Sequence, residues 1–255
     1  MGGRRWETVS ATLQGMNTLE HKTVLVVGAS SGVGHAVMEA LIAEGAEVHA
    51  WSRSEPEGGY PAEVTYSPVD VTQEIIPQNP EIPENLSGVV FAPGNITLGA
   101  FKQLKPQVYM DDYNLNVVGA VRVVQAVQSA LVADEGASVV MYSTVAAGIG
   151  MQFHASVASA KAALHGLTGT LAAEFADKNV RFNLVAPSLT DTPLAGRLLS
   201  NEKKREAAAQ RHPLKRVGTP DDIARATLFF LNPDNSWITG QCLGVDGGLS
   251  AISGL

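Results

Sequence analysis

An α/β fold, with a parallel sheet covered by helices on both faces, is what this sequence predicts, on three observations. Short apolar, β-branched runs alternate with helical patterns along almost the whole chain. A glycine-rich turn joins the first run to the first helix. No linker-like tract and no internal repeat divides the 255 residues.

The elements follow in order. Thr23–Val27 (TVLVV) has the pattern of a strand buried on both faces. Residues 32–44 form a helix with Val33, Val37, Leu41 and Ile42 on one stripe. Further strands are expected at 47–51, 64–67, 88–91, 138–142, 180–185 and 241–245, and helices at 112–133, 156–176 and 220–231. Two stretches break the rhythm. Pro77, Pro80 and Pro83 disfavour a long helix between Thr72 and Gly88, so that crossover is expected to be irregular. Residues 191–212 are polar but hold Leu194, Leu198 and Leu199, the pattern of an amphipathic helix that is either a solvated surface element or a lid over a site.

Composition bounds the function classes. Hydrophobic residues are 45% and charged residues 17%, which suits a sizeable core and argues against disorder. A net charge of -7 gives no electrostatic footprint for nucleic acid. Cys242 is the single cysteine, so no intramolecular disulfide forms and a reducing, cytoplasmic setting is expected. Its apolar neighbours point to a buried structural thiol. No metal site is expected, and no apolar run approaches the ~20 residues of a membrane span. Residues 1–15 lack a signal-peptide core and are expected to be a leader, with 16–255 a single dinucleotide-binding domain.

The turn Gly28-Ala29-Ser30-Ser31-Gly32-Val33-Gly34 carries the firmest functional signal. Glycines here permit a tight turn and close approach of backbone to a pyrophosphate, while the helix N-terminus offers free N–H groups and a positive dipole end. Its position after a buried strand and before a helix makes the string specific. At the end of the second strand, where an acidic residue would bind the ribose of NAD, stand Ser52 and Arg53. A guanidinium suits a 2′-phosphate, so NADP(H) is expected.

From residue 22 to residue 248 the chain resembles the short-chain dehydrogenase/reductase family. Gly28, Gly32 and Gly34 match its T-G-x-x-x-G-x-G turn, with Val27 in the threonine place. Asp70-Val71-Thr72 is similar to the adenine-contacting segment, and Asn116 in NVVG to the active-site asparagine. Lys161 in SAKAA, Arg181 to Pro187 (RFNLVAP), Thr192-Pro193 and the closing ITGQ…VDGG resemble the family's remaining motifs in order. The resemblance implies a doubly wound, Rossmann-type sheet of seven mainly parallel strands and hydride transfer between NAD(P)H and a small-molecule carbonyl or alcohol. It also implies a homo-oligomer, dimer or tetramer, assembled through the two long helices and the last strand. Lys161, Pro187, Thr192 and Gly94 would join Gly28, Ser30, Ser31, Gly32, Val33, Gly34, Ser52, Arg53, Asp70 and Val71 in holding the cofactor.

The catalytic pattern departs from the family at one place. Its proton donor is a tyrosine four residues before the lysine, and here that residue is Val157. Thr144, with Ser143 beside it, takes the place of the carbonyl-polarising serine and keeps a hydroxyl. The N-N-A-G segment becomes Phe91-Ala92-Pro93-Gly94. Hydride arrival at a ketone puts negative charge on oxygen, and general-acid help worth ~10²–10⁴-fold is missing unless another group supplies it. His154, three residues before Val157, is one candidate donor, its plain alternative being a pocket-lining residue. Tyr142, Tyr109 and Tyr113 are weaker candidates, Tyr142 being expected in the core. Asp111 and Asp112 are expected to be a charge pair at a helix N-terminus. Three functions remain open: an NADP(H)-dependent reductase with a remodelled donor acting on a carbonyl, imine or activated alkene; an NADP(H)-binding protein with little or no turnover; and a lyase or isomerase on the same fold.

Overall fold

In the computed structural model, which describes residues 18–252, one sheet of seven parallel strands organises the chain. The strands are β1 (Thr23–Val27), β2 (Glu47–Ser52), β3 (Val64–Pro68), β4 (Gly88–Phe91), β5 (Ser138–Tyr142), β6 (Arg181–Pro187) and β7 (Cys242–Val245). Their spatial order is β3-β2-β1-β4-β5-β6-β7, so the winding reverses between β1 and β4. Ligands of open α/β sheets bind at such a reversal, outside the carboxyl ends of the strands. The expected leader, residues 1–15, lies outside the described residues.

Alternation along the strands builds two cores. Leu25, Val27, Val89, Phe91, Val139 and Met141 face α3 (Gly119–Ala133) and α4 (Ala155–Glu174). Val24, Val26, Val90, Val140 and Tyr142 face α1 (Gly32–Ala43) and α6 (Pro220–Leu231). A Thr219–Asp222 capping box and Pro220 in the first turn start α6. The proline-rich crossover from β3 to β4 holds only one short 3₁₀ turn, Ile76–Gln78, as its prolines require.

Several expectations are corrected. The helix expected at 112–133 begins earlier, as α2 (Pro106–Tyr113), and runs through a π-helical stretch, Asn114–Val118, into α3. Asp111 and Asp112 therefore sit in the last turn of α2 rather than at a helix N-terminus. The stretch Pro106–Ala133 is also long and apolar enough to cross a membrane by length and composition, with a mean hydropathy of 1.5 over its best window. Its buried residues, Val117, Val123, Val127 and Leu131 among them, pack in the core. Cys242 is exposed rather than buried, because β7 is an edge strand whose first three residues are all exposed.

Candidate functional site

The carboxyl ends of the strands open into two connected hollows. The first is a cleft lined by the glycine-rich turn together with Ser52, Arg53, Asp70, Val71, Gly94 and Thr192. Glycine is required in the turn by contacts as well as by conformation. Gly28 has φ +81°, and a Cβ on Gly34 would stand 2.2 Å from the Gly28 carbonyl oxygen. Ser31 precedes α1 in extended conformation, so the first N–H groups of that helix face the cleft.

The rim of the cleft refines the roles expected for Ser52, Arg53 and Asp70. The Ser52 hydroxyl is already engaged, 2.8 Å from both Ser54 O and the Tyr60 hydroxyl, and the residue is buried. It is therefore the exposed Arg53 that is free to meet a phosphate. Partial burial alone would raise the Asp70 carboxyl. Hydrogen bonds from Thr72 N (2.9 Å) and Thr72 Oγ1 (2.8 Å), with the Arg53 and Arg122 charges, outweigh it and hold Asp70 below the usual carboxylate range.

The second hollow is a cavity of about 400 Å³. Apolar side chains dominate its wall, including Ile96, Leu98, Ile149, Met151, Leu189 and Leu249, none of which the sequence marked as site residues. Ser143, Thr144, His154, Val157, Lys161 and Pro187 line it too. The polar segment after β6 closes one side with Leu194 and Leu198. This segment carries α5 (Glu202–Gln210), clamped to the preceding loop by the Arg205–Asp191 ion pair at 2.5 Å.

The polar residues of the cavity are held differently from one another. Thr144 accepts from Ala146 N at 3.3 Å and stays half-buried at the wall. Ser143 is buried and engaged with His165 Nε2 (2.8 Å) and Lys161 O (3.3 Å), so its hydroxyl is tied to α4. His154 precedes α4 with its Nδ1 2.7 Å from Gln152 O, after Phe153 in the left-handed region at φ +68°. Tyr142 also lines the cavity, but its phenol packs in the core on the α1/α6 side of the sheet, its hydroxyl lies 2.7 Å from Thr227 Oγ1 on α6, and burial pushes it upward.

Lys161 and Asn116 meet where cleft and cavity join. A Cβ on Gly94 would stand 3.3 Å from Lys161 Nζ and 3.4 Å from Asn116 Oδ1. Burial pulls the Lys161 ammonium down to about 8. Asn116 is fully buried in the π-helical stretch. Its Nδ2 donates to Asp112 O (2.7 Å) and Asn95 Oδ1 (3.1 Å), which aims its Oδ1 away, without a partner. A buried acceptor without a partner beside an ammonium that has no hydrogen bond or ion pair among the described residues is an arrangement that expects a ligand with hydroxyls. The residues thus fit a dinucleotide whose ribose lies between cleft and cavity.

Beneath Asn116 lies a cluster that sequence reasoning missed. The Asp112 carboxylate is 1% exposed and accepts hydrogen bonds from Asn95 Nδ2, from Thr97 Oγ1 at 2.9 Å and from Ser156 Oγ at 2.6 Å. It ties α2 to α4 and to the loop after β4. Position alone could not reveal it, since Asp112 and Ser156 are 44 residues apart. The RFNLVAP segment, in contrast, is structural at its start. Arg181 donates to Phe230 O at 2.8 Å, and Asn183 bridges Ile238 O and Gln241 N.

Comparison with known proteins decides the family. The family described as enoyl-(acyl carrier protein) reductase matches residues 28–250. The chain belongs to the short-chain dehydrogenase/reductase family. A 3-oxoacyl-(acyl-carrier-protein) reductase, FabG, from Thermotoga maritima is 32% identical over 249 residues, covering 91% of this chain and 98% of its own. A tropinone reductase homolog from Arabidopsis thaliana is 33% identical over 251 residues, 91% of this chain and 92% of its own. Among solved structures, the ligand-free aldohexose dehydrogenase of Thermoplasma acidophilum superposes with a TM-score of 0.84 at 28% identity, covering 94% of this chain and 98% of that one. ElxO with NADP bound reaches 0.81 at 25% identity, over 91% and 100%. The seven-stranded doubly wound sheet is thus the fold of an oxidoreductase family that uses NAD(P)(H).

Proposed function

We propose that this chain is an NADP(H)-dependent reductase, a single domain acting on a small, largely apolar carbonyl, imine or activated alkene, with a proton donor other than a phenol at position 157. The observation that carries it is the convergence of Lys161, the orphaned Asn116 Oδ1 and Thr144 where the glycine-lined cleft meets an apolar cavity. When bound, the nicotinamide supplies or accepts the hydride. Arg53 would pair the 2′-phosphate, the N-terminus of α1 the pyrophosphate, and Asp70, Val71, Pro187 and Thr192 would frame the two rings. Lys161 would hold the ribose hydroxyls. Thr144 Oγ1 would donate to the substrate oxygen as charge grows on it, and the aliphatic wall would exclude water. The NADP-bound state of a structural neighbour supports the choice of cofactor.

A homo-oligomer is part of the proposal. Trp237 is 98% exposed and Leu243 39%, beside the exposed β7, and such large apolar groups at an edge strand call for a cover. The enclosing compartment proposed is the cytoplasm, from the exposed free thiol of Cys242.

One observation favours a second reading, a binding protein without turnover: Val157 is 6% exposed and apolar where the family places its acid. Stopped-flow mixing of the NADPH-loaded chain with a panel of cyclic imines and ketones separates the two. Consumption of NADPH supports the reductase, and tight binding with no consumption across the panel supports the binding protein.

A further inference from the structure

The cavity wall holds a pair of side chains that the reductase reading leaves unused. His212 is 2% exposed, and its ring sits between two oxygens: Nδ1 is 2.9 Å from Ala208 O and Nε2 is 2.8 Å from Ser188 Oγ. A backbone carbonyl can only accept, so Nδ1 carries a hydrogen. In the neutral ring Nε2 is then an acceptor, and the Ser188 hydroxyl donates to it. Ser188 follows Pro187 at the carboxyl end of β6, and both Ser188 and His212 line the cavity with Thr144, Val157 and Lys161. A buried imidazole, fixed at one nitrogen and joined at the other to a hydroxyl in the cavity wall, is the arrangement of a base that works through that hydroxyl.

We propose that Ser188 and His212 are the proton relay of the cavity, taking the part of the phenol that residue 157 lacks; this rests on the reductase reading above. In the reductive direction the carbonyl carbon receives a hydride, with its two electrons, from the reduced nicotinamide, which is oxidised in turn. The C=O π pair moves onto oxygen. That oxygen takes the Ser188 Oγ proton, and Oγ takes the Nε2 proton of a protonated His212. The ring is left neutral with Nδ1–H still on Ala208 O, and solvent returns the proton before the next turnover. In the oxidative direction the neutral ring accepts the alcohol proton through Ser188. The competing groups are placed less well. The Ser143–His165 pair has the same 2.8 Å spacing, but His165 is not on the cavity wall. His154 is also anchored at Nδ1 on a carbonyl, but it is only half-buried, and among the described residues no hydroxyl is bonded to its Nε2.

The test follows NADPH oxidation with a panel of 1,2-diketones and cyclic ketones, together with NADPH affinity from fluorescence titration. Ser188→Ala is expected to lower kcat about 100-fold or more with NADPH affinity held within about twofold, and Ser188→Thr to retain most of the rate. His212→Asn should match Ser188→Ala; should that variant fail to fold, Ser188→Ala still decides. The discriminating step places Val157→Tyr in the Ser188→Ala background. A phenol at 157 makes the relay dispensable, so activity is expected to recover at least about tenfold of the ~10²–10⁴-fold that a general acid contributes. Activity in Ser188→Ala within about threefold of the parent overturns the relay. So does a loss that Val157→Tyr leaves unrelieved, or a loss found in His154→Ala instead. A parent inactive on the entire panel, yet binding NADPH, overturns the reductase reading itself, and is thereby distinguishable.

Discussion

Replacing Gly34 by alanine is the sharpest probe of the glycine turn. The added Cβ would stand 2.2 Å from Gly28 O and 3.1 Å from Ala92 Cβ. The first contact is with backbone, so no side-chain rotation relieves it, and the start of α1 must move away from Gly28 at the head of the turn. Overpacking of this kind costs ~1–3 kcal/mol. For a domain of this size that lowers Tm by about 2–12 °C, at roughly 2–4 °C per kcal/mol. The same displacement opens the cradle at the N-terminus of α1, so NADPH affinity should fall by about tenfold or more, since 1.4 kcal/mol of misfit is a factor of ten. Gly136→Ala is the matched control, because a Cβ there meets nothing within 4 Å. Calorimetric Tm and fluorescence-detected NADPH titration of both variants are the assay. A Gly34→Ala protein with the Tm and the NADPH Kd of the Gly136→Ala control would refute the reasoning.

Three further outcomes are expected. Arg53→Ala should weaken NADPH by about tenfold or more while leaving NADH nearly unchanged, from a charged hydrogen bond worth ~1.5–3 kcal/mol; equal weakening in paired titrations counts against the phosphate assignment. Lys161→Met should stabilise the unliganded fold near neutral pH. Burial lowers the Lys161 ammonium to about 8 from an ordinary 10.5, so between those values the unfolded chain binds the extra proton and stability rises with pH. Below that window both states are protonated and the full cost, on the order of 3 kcal/mol, weighs on the fold; denaturant titrations should therefore show the variant's advantage at pH 7 vanish by pH 10.5. Asp112→Asn should cost ~1–3 kcal/mol, because an amide nitrogen cannot accept from both Ser156 and the Asn95–Thr97 side; an unchanged denaturation midpoint would remove Asp112 from its role as the tie between α2 and α4.

Much of this was legible before any coordinates. The strands were readable because a doubly covered parallel strand is apolar at nearly every position, and TVLVV and SVVMY admit few other readings. The turn was readable because its glycines are consecutive in sequence with the strand and helix that frame it. The legible part ended where contacts span the chain. Asp112 read as a helix-start charge because α2 carries no strong apolar stripe to mark its true beginning at Pro106. The sequence places Ser52 at the cofactor cleft, which it does line, but nothing local reveals that its hydroxyl is engaged by Tyr60 and Ser54. Cys242 read as buried because an edge strand and a central strand look alike in four residues. Ser188 and His212 went unmarked because 24 residues separate them, and only the folding of the segment around α5 brings the imidazole to the hydroxyl.

Hydride transfer is proposed to proceed here with valine at position 157. Single-turnover oxidation of NADPH by the unmodified chain, with enzyme in excess and a ketone and imine panel, tests it most directly. At least one panel member is expected to consume the bound NADPH and to yield the reduced product in equal amount. Saturable NADPH binding with no consumption above the buffer rate for any member would contradict it.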